Sequence, residues 1–506
     1  MNQSNVRKPI FQNYYNQQDY VDTLKKLPEV IKNVERKSLE IIEPTIFEQR
    51  NIMDSIREFL RIKGRKIYGG TAINELVKQV NPDDAIYDNY SFGDIDFYSP
   101  QPRADIVDLC NFLFDKNKYK NISANEAQHD ETYRIYVNWQ LYCNITYVPM
   151  RIYSGIKVIM IDNLQYVDPH FLWIDQLRIF NNPMLTSRLW EKTFKREYVL
   201  LKNYPLESFE INMQISKIPM EITGYHYKIK QEFLIIEKIR ENTLITGFDA
   251  YNFYVKYASN KIISECPVPF LELVSTDYVN TVIKLYAYIK SIVTMPRSVS
   301  IVEYSPFFQF AEHSVMISYN EHTLVLIREV NDICVPIINV SSGVKYATYQ
   351  YLLMSLLINK FRSFLDKDKI MYKNYGAASS NLIKIKNDYL WENKLPVINN
   401  SPFSIFKTTC IGTPISPTRL YLTRRNERRE NGKRQEFTYE PEKFFKTPID
   451  TQQKFDQKKF IYKNTSGNVI IKSNNLRFVI DGDNIIEKNN IDESPINDDS
   501  ESVAPY

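Results

Sequence analysis

Lys66-Ile-Tyr-Gly-Gly-Thr-Ala-Ile-Asn74, followed by Ser91-Phe-Gly-Asp-Ile-Asp-Phe-Tyr98, is the stretch that decides the fold. It reads as a short strand ending at Gly69-Gly70, a helix beginning near Thr71, a loop, and a second strand carrying Asp94 and Asp96. Side chains on a strand alternate between faces, so Asp94 and Asp96 share one face while Ile95 and Phe97 enter the core on the other. Hard divalent cations take such oxygen ligands, and Mg²⁺ accepts one or two carboxylates together with substrate phosphates. The glycines let a backbone approach phosphate closely, and the start of the helix presents free N–H groups there. Together these are parts for two-metal nucleotidyl transfer. An isolated Asp-x-Asp is usually a pair of surface carboxylates, and an isolated Gly-Gly is usually a turn; the information lies in the ordered set.

Working outward, residues 1–40 are polar, with a helix expected over Val21 to Lys37 in an N-terminal arm packed on the body. Ile52, Met53, Ile56, Phe59 and Leu60 fall on one face of a helix that feeds the Gly-Gly strand. Arg103 to Tyr119 is a second amphipathic helix, and Tyr133 to Trp139 and Leu141 to Val148 are strands. In the latter, Leu141, Cys143, Ile145 and Tyr147 alternate with Tyr142, Asn144 and Thr146. A further helix opens at Thr186-Ser-Arg-Leu-Trp-Glu-Lys-Thr-Phe-Lys-Arg-Glu197, with Thr186 or Ser187 as its cap. Arg188, Lys192 and Lys195 or Arg196 share one of its faces. That face is either solvated or in contact with a triphosphate or RNA backbone.

The ordered set Gly69-Gly70, helix, Asp94-Ile-Asp96 resembles the DNA polymerase β-like nucleotidyltransferase superfamily. The long gap over residues 71–93 resembles one branch of it, the viral poly(A) polymerase catalytic subunits of poxviruses and giant DNA viruses. Leu177-Arg-Ile-Phe-Asn-Asn-Pro183, running on through Glu191-Lys192 to Lys195-Arg196, is similar to the same branch. The resemblance is clear over roughly residues 45–205. It implies addition of AMP from ATP to the 3′ end of single-stranded RNA. Asp94 and Asp96 would hold Mg²⁺ or Mn²⁺, and Gly69, Gly70, Thr71, Lys192 and Arg196 would bind the nucleotide. The family carries a third catalytic carboxylate in a Cys-Asp-Ile-Thr-like string, where this chain reads Cys143-Asn144-Ile145-Thr146. Three readings of Asn144 stand: an engineered inactivation, a natural loss of activity, or a third carboxylate elsewhere, with Asp130, Glu131 and Asp162 nearby.

The chain also repeats itself at an offset of about 177 residues. Ile52 to Gly64 falls on Ile229 to Glu241, Gly70 on Gly247, and Asp94-Ile-Asp96 on Leu271-Glu-Leu273. Val158 to Ile161 falls on Val335 to Ile338, and the helix at Phe171 on Thr348 to Ile358. At this offset both aspartates become leucines, so the second copy would keep the fold and lose the metal. The expected fold class is α/β (α+β), a polymerase β-like nucleotidyltransferase domain followed by a degenerate second one. The expected boundaries are an arm at 1–44, the catalytic domain at 45–205, the degenerate domain at 206–420, and a basic then acidic tail at 421–506. Asn374 to Ser380 and Asn399 to Arg419 read as loops, Arg424 to Arg434 as a basic linker, and Val469 to Ile471 and Phe478 to Ile480 as short strands before a disordered end.

Composition bounds the rest. The 506 residues are 43% hydrophobic and 25% charged, ordinary for a globular chain. No apolar run is long enough to cross a membrane, and no signal peptide is expected. The five cysteines are dispersed and odd in number, which argues against disulfides and zinc and for a reducing compartment. A net charge of +4 leaves RNA affinity to local patches. With no separate RNA-binding module, the groove is expected between the two copies or in a homodimer. The resemblance implies work in the virion or the host cytoplasm, in a viral factory. The competing functions are a uridylyl- or CCA-adding transferase and a silent processivity partner or scaffold.

Overall fold

The computed structural model describes residues 14–444, apart from 89, 92, 116–117, 129–130, 208–212, 214, 216–217, 236, 260–262, 305, 341–342 and 431–436, with short strands within 464–487. The acidic end after 487 and residues 431–434 of the basic run lie outside the described residues.

Helix α1 (Gln17–Ile41) is longer than its apolar pattern predicts because Asn16 and Asp19 cap it reciprocally. It buries none of its residues, unlike the packed arm expected, and meets the body through Arg36 and Asp88. Helix α2 (Ile46–Lys63) opens on a second capping box, Thr45 with Glu48, and buries its predicted apolar face. There follow β1 (Lys66–Tyr68), α3 (Gly69–Val80), β2 (Ile95–Ser99), α4 (Pro102–Asp115), β3 (Ile122–Glu126), β4 (Thr132–Val137), β5 (Gln140–Tyr147) and α5 (Met150–Gly155). Then come β6 (Val158–Ile161), β7 (Leu164–Val167), α6 (Pro169–Phe180), α7 (Pro183–Thr186) and α8 (Trp190–Asn203). Helix α8 opens at Trp190, later than its expected cap. The Thr186 hydroxyl is taken by the Ile179 and Asn182 carbonyls and does not cap it. The strands form one sheet in the order β3-β4-β5-β2-β1-β7-β6. The β2–β5 and β1–β7 pairs are parallel and the others antiparallel.

The chain then makes the same object again. Helices α9 (Met220–Ile235) and α10 (Glu237–Asn242) stand for α2. They lead into β8 (Thr243–Thr246), α11 (Gly247–Ala258), β9 (Leu271–Ser275), α12 (Tyr278–Ile292), β10 (Val299–Tyr304), β11 (Ser314–Tyr319) and β12 (His322–Glu329). After these come β13 (Val335–Asn339), β14 (Lys345–Ala347) and α13 (Tyr349–Leu365). The sheet order β10-β11-β12-β9-β8-β14-β13 repeats the first order, with parallel pairing again at β9–β12 and β8–β14.

The repeat corrects the sequence register. Tyr68 pairs with Asp96, and Thr246 pairs with Glu272. Gly69 and Gly247 each follow directly and open a helix with left-handed backbone, φ 75° and φ 65°. The counterpart of Gly247 is therefore Gly69, not Gly70, and the counterpart of Asp96 is Glu272, not Leu273. Leu271 and Leu273 match the core residues Ile95 and Phe97. The second copy keeps a carboxylate but fills its site. Arg328 donates to Glu272 at 2.8 Å, and Asn359 donates to the same oxygen at 3.1 Å. All three side chains are buried.

Four further readings are corrected. Asn374 to Ser380 is not a loop but the buried middle of α14 (Lys369–Glu392), where glycine, alanine and serine let the helix press against α11 and α13. Cys334 and Cys410 form a disulfide, joining β13 to β15 (Cys410–Ile411) across 76 residues. Part of the basic run lies in a helix, α15 (Pro417–Glu430), which takes in the end of the second expected loop. The chain after 421 is not a free tail over its described part: β16 (Thr438–Tyr439) pairs with β3 of the first sheet. There Tyr439 is buried and its hydroxyl donates to Asn111. No helix among the described residues is long and apolar enough to cross a membrane.

Candidate active site

Asp96 lies on β2 and Asp94 immediately precedes it, and Asn144 meets both from β5, whose register sets Asn144 opposite Asp96. The Asn144 amide nitrogen donates to Asp94 Oδ2 at 2.6 Å and to Asp96 Oδ1 at 2.7 Å. With two carboxylates as neighbours, the amide must turn its N–H₂ toward them. One nitrogen thus touches both carboxylates at once. Burial and the charge of Asp94 push the Asp96 carboxyl up to about 8, against the opposing pull of Asn144 and Arg196. Two oxygens converging on one point, with a proton held there near neutral pH, form a donor set that fits a divalent cation.

The glycines shape the other wall. A Cβ on Gly69 would strike the Asp96 carboxylate, and its left-handed φ independently disfavours any side chain. A Cβ on Gly70 would strike the guanidinium of Arg196. No side chain caps the N-terminus of α3, so its first N–H groups stay available for an anion beneath that guanidinium. Arg196 Nη2 donates to the Tyr87 hydroxyl at 2.7 Å, while its Nε is buried without an acceptor.

The expected site residues thus divide. Asp94, Asp96, Asn144, Gly69, Gly70 and Arg196 come together. Thr71 differs: it is buried, and its hydroxyl donates to the Asp94 carbonyl at 2.8 Å, so it positions the carboxylate strand. Lys192 lies exposed one turn before Arg196 on the same face of α8. Of the alternative carboxylates, Asp130 lies outside the described residues. Glu131 and Asp162 sit in left-handed turn positions before β4 and between β6 and β7, and neither contacts Asp94 or Asp96.

Sequence reasoning missed Tyr87 and Asp175. The signal for Tyr87 was the long gap itself. The Asn74 side-chain oxygen accepts from the Ile86 and Tyr87 N–H groups and folds the insertion back over the site. Asp84 of the same insertion takes Lys202 and Asn203 of α8. Asp175, on α6 and paired with Arg178 at 2.7 Å, adds negative charge beside Asp96. Farther along the face, Tyr68 stacks on Tyr98 at 3.9 Å, and Phe308 of the second copy packs edge-on against Tyr98 at 5.6 Å.

A mixed sheet with converging carboxylates beside a glycine-opened helix defines a nucleotidyltransferase of the polymerase β-like kind. Family models agree: residues 54–186 match "Poly(A) polymerase catalytic subunit" and residues 220–480 match "APMV, Putative poly(A) polymerase, catalytic subunit, C-terminal". A "Putative poly(A) polymerase catalytic subunit" of Acanthamoeba polyphaga mimivirus is 45% identical over 97% of this chain and 88% of its own. One of the same description from African swine fever virus is 25% identical over 49% of each. The crystal structure of the Megavirus polyadenylate synthase superposes with a TM-score of 0.87 at 46% identity, over 96% of this chain and 99% of that one. The chain belongs to the viral poly(A) polymerase catalytic subunits, which are polynucleotide adenylyltransferases.

Proposed function

We propose that this chain adds AMP from ATP to the 3′ end of single-stranded RNA by two-metal transfer at Asp94 and Asp96. The observation that carries the reading is the convergence of these carboxylates on one point beside the uncapped, glycine-lined start of α3. Mg²⁺ or Mn²⁺ held by Asp94 and Asp96 would activate the primer 3′-hydroxyl and offset charge on the triphosphate. Asn144 keeps the two carboxylates aligned and, being neutral, takes no proton. The main chain at Gly69 and Gly70 receives phosphate, and Arg196 leaves the Tyr87 hydroxyl to hold the departing pyrophosphate, with Lys192 beside it. The test is extension of a short RNA primer with each nucleoside triphosphate in turn, with Mg²⁺ or Mn²⁺. A tail made from ATP alone, abolished in Asp96→Asn, is expected. Tails of another nucleotide, or an undiminished Asp96→Asn, would overturn the reading.

We also propose that two copies associate through α1. Tyr20, Leu24, Leu27, Ile31, Val34 and Ile41 recur at heptad spacing, and all are exposed. Pro28 lies inside this helix and disfavours it in isolation, so a covering partner would account for it. Light scattering should give a dimer, and Leu27→Glu with Ile31→Glu a monomer; a monomeric parent chain sinks the idea. We propose that the chain works in the virion or the host cytoplasm, in a viral factory.

A further inference from the structure

We propose that Arg134 holds the phosphate of the primer's 3′-terminal linkage, on the side of the carboxylates opposite the triphosphate. This rests on the polyadenylation reading above, and in particular on the assignment of the Gly70–Arg196 side to the leaving group.

The first observation is a row of side chains across the sheet. Register sets Tyr68, Asp96, Asn144, Arg134 and Asn125 opposite one another on β1, β2, β5, β4 and β3. Residues directly opposite project from the same face. Thr132, two residues before Arg134, confirms the face: its hydroxyl lies 3.2 Å from that of Thr146, which lies 2.8 Å from the Tyr68 hydroxyl. Arg134 therefore stands on the catalytic face, two strand spacings (~10 Å) from Asp96.

The second observation is direction. In an in-line displacement the attacking and leaving oxygens lie on opposite sides of the phosphorus. Gly70 and Arg196 lie on the β1 side of Asp96. A 3′-hydroxyl attacking from the other side must come in over β5 and β4. The two-strand spacing leaves room for a sugar between the carboxylates and the Arg134 guanidinium.

The third observation is that this guanidinium has no carboxylate partner among the described residues. Arg134 is half-buried, its Nε is buried without an acceptor, and no carboxylate among the described residues pairs with it. Other half-buried arginines of the same half are paired: Arg65 with Asp105, Arg103 with Glu126, and Arg178 with Asp175. Among the described residues neither Arg134 nor Arg196 forms an ion pair with a carboxylate, and the two stand on either side of the aspartates. Leaving a buried charge unpaired is costly, and a guanidinium fork matches phosphate geometry.

The test is equilibrium binding of the full chain to a short 5′-labelled single-stranded RNA, by fluorescence anisotropy. Two RNAs are compared, one natural and one with an uncharged methylphosphonate as its last linkage. Arg134→Gln should weaken binding of the natural RNA about ten-fold, the scale of one charge-assisted hydrogen bond, and lower the salt slope by about 0.7. Arg134→Lys should fall between. The methylphosphonate should weaken the parent chain by the same factor and leave Arg134→Gln unchanged. ATP affinity, measured by equilibrium dialysis, should be unaltered in both variants, which also shows that they fold. The inference is overturned if Arg134→Gln still distinguishes the two RNAs as the parent does, or if ATP affinity falls while RNA affinity holds. If linkage-dependent binding is present but the parent adds no AMP, Arg134 is supported and the polyadenylation reading is what fails.

Discussion

Asn144 is a neutral donor placed between two carboxyl groups. Its amide satisfies Asp94 and Asp96 together, at 2.6 and 2.7 Å, without neutralising either. Asn144→Asp replaces that donor with a third carboxylate. Mn²⁺ affinity by calorimetry should rise about ten-fold or more, while the metal-free protein should lose about 1–3 kcal/mol near pH 8 through like-charge repulsion. Unchanged metal affinity would show that position 144 is not a ligand position. The proton on Asp96 gives a second prediction. Its folded value, about 8, lies above the usual carboxylate range, so between about pH 4 and pH 8 the native state holds a proton that the unfolded chain has released. Metal-free stability should therefore be greatest at the acid end of that window and decline as pH rises through it. If Asp96 holds the metal as proposed, Mg²⁺ should raise the melting temperature more at pH 8.5 than at pH 6.5, because the deprotonated carboxylate would be the ligand. In Asp96→Asn both trends should flatten; a pH-independent difference between variant and parent would count against the assignment.

At the scale of elements, the strand–glycine–helix unit occurs twice with opposite outcomes. Gly69 lies against the Asp96 carboxylate and Gly247 against that of Glu272, each with left-handed backbone. In the first unit the carboxyl lies beside Asp94 and the Asn144 amide, with no arginine hydrogen-bonded to it among the described residues. In the second, Arg328 and Asn359 close over it, and burial still pushes the Glu272 carboxyl up against the pull of Arg328. Arg328→Met should strand a buried carboxylate and cost about 3–5 kcal/mol, and adding Glu272→Leu should recover most of that loss. Chemical denaturation of the two variants measures this. A cost no smaller in the double variant would mean that Arg328 contributes by packing alone.

Across the whole molecule, the sequence made the catalytic half readable because its signals are local: a glycine pair, a carboxylate alternation, an apolar helix face. The second half was readable as a repeat but not in its register. A constant offset cannot follow a loop that is shorter in one copy, so Glu272 was mistaken for a core position and Leu273 for its replacement. The Cys334–Cys410 bond and the β16 pairing with β3 escaped for a related reason, since each joins residues far apart in the chain. Tyr87 reaches the site through an insertion, and Arg134 stands on the same sheet face through cross-strand register, neither of which a motif displays. The return of the chain to the first sheet carries a prediction of its own. Tyr439 is buried there, with Phe437 edge-on to Tyr133 and Glu442 accepting the Asn121 N–H. Tyr439→Ala should cost about 3–5 kcal/mol and expose the β3 edge to protease. Cleavage no faster than in the parent would contradict this.

That last contact also sets a timetable. Tyr439 and its partner Asn111 are 328 residues apart. During synthesis the N-terminal half leaves the ribosome long before its final edge strand has been made. The catalytic sheet must wait, one border open, while a second domain with the same seven-strand order is translated and folds beside it. Two nascent sheets with the same strand order, one unfinished, have every opportunity to exchange strands. The two sheets differ at the matched position: Arg328 and Asn359 hold Glu272 in one, and the Asn144 amide bridges Asp94 and Asp96 in the other.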